Sequence, residues 1–71
     1  MSNREMVVKV LKEYGAMTAR QIAVQINNKM GIVLTSAQIA GAMRPLIAQG
    51  KAANSKDGSG KTVYWMNKEE W

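Results

Sequence analysis

Apolar residues fall at Met6, Val7, Val10, Leu11 and Tyr14. At about 3.6 residues per turn they share one arc, with Lys9 and Lys12 outside it. The pattern predicts a helix over 3–14. Ser2 and Glu5 stand where a capping box needs them, and Gly15 suits the helix stop. Ala16 and Met17 leave room only for a short extended segment. Thr18 with Gln21 repeats the cap signature and opens a second helix over 19–29, whose inward stripe is Ala19, Ile22, Ala23, Ile26 and Met30. Asn27, Asn28 and Gly31 are weak helix formers that end it, and Ile32, Val33 and Leu34 form a short apolar link.

Thr35 with Gln38 gives the third cap, so that Thr18-Ala-Arg-Gln-Ile-Ala and Thr35-Ser-Ala-Gln-Ile-Ala do the same job: a capped first turn followed by an apolar anchor, Ile22 or Ile39. The third helix is predicted over 36–49, with Ile39, Met43, Leu46 and Ile47 inward and Ala37, Gly41, Arg44 and Ala48 on the opposite face. Pro45 removes a hydrogen bond inside it and predicts a kink between Gly41 and Pro45. After Gly50, residues 51–55 and 61–66 read as two strands around Lys56-Asp57-Gly58-Ser59-Gly60, a hairpin with a flexible tip. Alternation places Trp65 on the face opposite Tyr64 and Met66, where it either covers the sheet or marks a contact surface. Residues 67–71 read as a frayed tail, with Trp71 at its end.

Length makes the chain one domain, 1–71, and composition makes it a folded one, with 46% hydrophobic and 21% charged residues. So short a chain builds a small core, and without cysteine it has no disulfide staple, so a homodimer or a bound partner is a route to added stability. The net charge is +5, and it is unevenly spread. Residues 15–68 hold Arg20, Lys29, Arg44, Lys51, Lys56, Lys61 and Lys68 against the single acid Asp57, a local charge of +6. A polyanionic partner follows from this field, against the plainer reading of a solubilising surface.

The chain contains no histidine and no cysteine, which removes the usual general base, the thiolate nucleophile and nearly all transition-metal sites. The acids are scattered, so no paired-carboxylate site is expected, no cofactor is implied, and the chain reads as a non-enzyme. Gly60-Lys61-Thr62 resembles the end of a phosphate loop. Ser55 stands where that motif needs its first Gly, and no helix follows. No signal-peptide core or membrane span is evident, which makes cytoplasmic, nucleoid-associated residence the expectation.

With three helices followed by a basic-tipped hairpin, the sequence resembles the winged helix-turn-helix family over residues 3–66. The resemblance is carried by the two capped hexapeptides, by Met43-Arg-Pro-Leu-Ile-Ala-Gln-Gly-Lys at the end of the third helix, and by the strand ending Tyr64 and Met66. It implies an α+β fold, a three-helix winged helix-turn-helix with a C-terminal β-hairpin wing. It further implies that residues 35–49 are a recognition helix entering the major groove of double-stranded DNA. On that reading Ala37 and Gly41 allow close backbone approach, and Gln38 could pair with adenine and Arg44 with guanine or phosphate. The helix starts at Thr18 and Arg20 and at Thr35 and Ser36 suit phosphate, and Lys56 and Lys61 carry the wing to the backbone. Thr35 and Gln38 read equally as a plain cap, and the lysines as a soluble turn.

The function implied is non-catalytic DNA binding by a transcriptional regulator or accessory factor, in the manner of a small phage or mobile-element protein. The competing reading is a winged-helix protein-interaction module using exposed Val24 and Trp65. The link 30–34 is longer than the tight turn of a plain helix-turn-helix, which leaves the angle between the two helices open.

Overall fold

A computed structural model of the chain describes residues 2–67, and the expected tail beyond Asn67, including Lys68 and Trp71, lies outside the described residues. The elements run α1 (Asn3–Tyr14), β1 (Met17–Thr18), α2 (Ala19–Met30), α3 (Ser36–Ala48), β2 (Ala52–Lys56) and β3 (Thr62–Met66).

All three helices open on the same device. Ser2, Thr18 and Thr35 hold extended backbone angles that cannot join a helix. Each hydroxyl instead accepts the N–H of the residue three places on, at 3.1, 3.2 and 3.1 Å. The side chains of Glu5, Gln21 and Gln38 return to accept the cap N–H at 3.2, 2.9 and 2.8 Å. Two of the N–H groups that every helix start leaves without an intrahelical partner are thereby satisfied. Gly31 closes α2 in the left-handed region (φ 68°), and its N–H donates to the Asn27 carbonyl at 3.0 Å.

Pro45 does not interrupt α3. The helix continues to Ala48, and the Gln49 N–H donates to the Pro45 carbonyl at 3.0 Å. The carbonyl of Gly41 loses its usual donor at Pro45, but Gly41 is exposed and water can take that place.

The core lies between the helices. It is built from Met6, Val7, Val10 and Leu11 of α1, Ile22 and Ile26 of α2, and Ile39, Met43 and Leu46 of α3. Leu34 of the link and Met17, Ala52 and Tyr64 of the sheet complete it. Tyr14 departs from the expected stripe: it ends α1 at 49% exposure, with the Lys29 ammonium 5.3 Å from its ring centre. At the last position of a helix the half-exposed ring gains a cation over its face.

The sheet has one strand more than the expected hairpin. Its order is β1-β3-β2, antiparallel throughout, with Met17 opposite Tyr64 and Thr18 opposite Val63. Two residues are too few to show a period of two, and their partner lies far along the chain, so the sequence carried no signal for the pairing. Its consequence is positional. Thr18 is at once the end of β1 and the cap of α2, so the hairpin is hydrogen-bonded to the segment that starts α2.

Candidate nucleic-acid interface

Neither α2 nor α3 carries an acid in its first turn, whereas α1 has Glu5 there. The positive ends of α2 and α3 are therefore uncompensated within their own helices. The capping boxes use the cap N–H and the third N–H of each helix, and the Thr18–Val63 pairing turns the Ala19 N–H toward β3, so the N–H groups of Arg20, Ser36 and Ala37 remain for an outside acceptor.

One open cleft gathers these groups. It is lined by Thr18, Arg20 and Gln21 from α2, by Ser36, Ala37 and Ala40 from α3, and by Asp57, Ser59 and Lys61 from the hairpin loop. The β1–β3 pairing explains the convergence, since it fixes the base of the hairpin beside the start of α2.

The loop itself is closed by one carboxylate. Asp57 Oδ1 accepts from the Ser59 N–H at 2.9 Å, the Ser59 hydroxyl at 2.8 Å and the Lys61 N–H at 3.0 Å. These donors, the Ser59 hydroxyl foremost, hold the Asp57 carboxyl below its usual pKa. A β-turn bonds the Gly60 N–H to the Asp57 carbonyl at 3.1 Å, with Gly60 at φ 82°, where a side chain would be strained. The expected flexible tip is thus pinned, and Asp57 is a site residue that sequence reasoning took only as a turn former. Its signal was a hydroxyl two residues on, the spacing at which an Asp side chain bonds its own turn.

The expected site residues divide three ways. Thr18, Arg20, Ser36, Ala37 and Lys61 share the cleft, and Thr35 lines the adjoining depression with Arg20, Ser36, Val24 and Val33. Gln38 and Gly41, with Pro45 further along α3, line a different depression, against Ser2, Asn3 and Arg4 at the start of α1. Gln38 acts as the cap partner, and its carbonyl oxygen, needed for a two-bond contact with adenine, already accepts the Thr35 N–H. Arg44 and Lys56 are exposed and do not line the cleft. Arg44 follows Ala37 by two helical turns on the same stripe, about 10 Å further along α3. Lys56 pairs with Thr62, which puts it on the Tyr64 face of the sheet.

Lys29 leaves the basic group. Its ammonium meets the Glu13 carboxylate at 2.7 Å, a bond between α2 and α1 that raises its pKa. Trp65 is half-buried opposite Ala53, and Val24 is exposed. Among the described residues no cluster of acids, His or Cys could hold a metal, and no helix is long and apolar enough to cross a membrane.

No family model matches the sequence, and no curated protein matches it. Solved structures match in shape. The chain superposes on a structure of HOP2, described for its DNA recognition and protein interaction domains, with a TM-score of 0.73 at 18% identity over 93% of this chain and 100% of that one. A transcriptional regulator from Clostridium thermocellum gives 0.79 at 18% identity, covering 94% of this chain and 67% of that one. The complex structure of hsRosR-S4 gives 0.82 at 16% identity over 99% of this chain. The chain has the winged-helix fold. It spans 60% of the hsRosR-S4 chain. In winged-helix terms α2 and α3 are the helix-turn-helix pair and β2–β3 is the wing.

Proposed function

We propose that the winged helix binds double-stranded DNA and acts by occupying a duplex, with no catalysis and no cofactor. The observation that carries this reading is the cleft in which two acid-free helix starts meet Arg20 and the wing lysine Lys61. A duplex backbone laid there would meet the N–H groups of Arg20, Ser36 and Ala37 and the Ser36 hydroxyl. Arg44 would then reach a base edge or a further phosphate, and Lys56 would extend the contact along the wing. A transcriptional regulator or a DNA accessory factor resident with the nucleoid would both work this way. The stoichiometry on the duplex tells a monomer from a homodimer.

The second reading, a protein-interaction module of the kind a phage adaptor uses, is favoured by one observation. Val33 is 79% exposed and lines a depression with Val24, itself 50% exposed. Fluorescence anisotropy on a labelled duplex separates the two. Arg44→Ala, and Lys56→Ala with Lys61→Ala, should each weaken binding while leaving the melting temperature near wild type. Unaltered affinity in all of these folded variants removes the DNA surface and leaves the apolar depression as the functional face.

A further inference from the structure

We infer that this interface takes duplex DNA with little regard for base sequence, a step that rests on the DNA reading above. Direct readout needs side chains whose free donors and acceptors match a base edge: Arg or Lys for guanine, Asn or Gln for adenine, Asp or Glu for cytosine. The outward stripe of α3 carries Ala37, Ala40, Gly41, Arg44 and Ala48, with Ser36 at its start. Arg44 is the one member able to make a two-bond pair. A Ser hydroxyl donates or accepts with equal ease and discriminates poorly, and an alanine can only touch a thymine methyl.

Gln38 would be the adenine reader, but its oxygen is held by the Thr35 N–H and the residue lies in the depression against Ser2 and Arg4. Gln49 stands at the C-terminal cap, the end of α3 away from the cleft. The wing tip adds little: Asp57 Oδ1 is committed to Ser59 and Lys61, the rest of the tip is Gly, Ser and Gly, and the flanking Lys56 and Lys61 are assigned to phosphate as point charges without the fixed fork of an arginine.

Backbone-binding groups are by contrast plentiful: Arg20, Lys56 and Lys61 together with the free N–H groups of two helix starts. Phosphate contacts fix position and orientation, while base contacts carry the sequence information. A surface furnished with the first and nearly empty of the second holds any duplex. Its residual preference is set by Arg44 at one base pair, about five- to hundred-fold there, against about a thousand-fold or more for a specific site over bulk DNA. Among the roles proposed above, an accessory factor spread along DNA fits this surface better than a repressor of one operator.

The test titrates the whole chain onto unrelated duplexes of about 20 base pairs, including alternating A·T and G·C sequences, and in parallel selects from a random duplex library. The dissociation constants should fall within about a hundredfold of one another, the range Arg44 alone can set, and selection should enrich one or two base pairs at most. Arg44→Ala should erase that enrichment while the duplexes still bind. A selected site with four or more fixed positions, or discrimination beyond about a thousand-fold, overturns the inference and leaves the DNA reading standing. Failure to bind any duplex at about 50 mM salt overturns both.

Discussion

Replacing Ile39 by Ala removes three buried carbons from the residue that seats α3. Ile39 is fully buried, in the cluster that also holds Val7, Val10, Ile22 and Met43. At about 0.8 kcal/mol per buried methylene the transfer loss alone is about 2.4 kcal/mol. The unfilled cavity adds to this, which puts Ile39→Ala between about 2 and 5 kcal/mol. A chain of 71 residues has about 4 to 11 kcal/mol of stability in all, so the loss is a large fraction of it. Urea unfolding followed by far-ultraviolet circular dichroism should show a lower midpoint at unchanged slope, and the melting temperature should drop by at least about 10 °C. Ile39→Val should cost about 0.5 to 1.5 kcal/mol, which grades the effect by volume. A cost below about 1 kcal/mol for Ile39→Ala would show that α3 is not seated on this core.

Lys29→Ala should leave DNA affinity unchanged, because its charge is held by Glu13 on the α1 side. A loss as large as that of Arg44→Ala would mean that the cation reaches DNA. Asp57→Ala removes the acceptor of three hydrogen bonds in the exposed wing loop, so it should weaken DNA binding several-fold with little change in melting temperature. The same carboxylate sets a pH dependence. Its pKa is lower in the folded loop than in the unfolded chain, so its contribution is fully present above the unfolded value, about 3.9, and is lost as pH falls through the lower folded one. The amide resonances of Ser59 and Lys61 should therefore hold steady from pH 7 down to about 4.5 and move only below about 3.9. A transition centred above that value would contradict the closure.

Local signals were legible and distant ones were not. Ser2 with Glu5, Thr18 with Gln21 and Thr35 with Gln38 announce the helix starts because each cap is closed within three residues. Alternation places Tyr64 inward and Trp65 on the other face for the same reason. The β1–β3 pairing and the Lys29–Glu13 bridge join residues far apart in sequence, and no local pattern encodes either. The candidate site follows the same division. The cap residues and basic side chains could be named from the sequence, but that Thr18, Ser36 and Lys61 line one cleft while Gln38 turns toward α1 is a product of packing. The cap that made Gln38 recognisable is also what occupies the oxygen a base contact would need.

Salt dependence of duplex affinity tests the central claim most directly. Four exposed cations, Arg20, Arg44, Lys56 and Lys61, should each release counterions on meeting phosphate. The logarithm of the binding constant against the logarithm of salt concentration should then fall with a slope of about −3.6, easing to about −2.7 in Arg44→Ala if that residue meets a phosphate. Binding that barely responds to salt would contradict the account and point to apolar contacts instead.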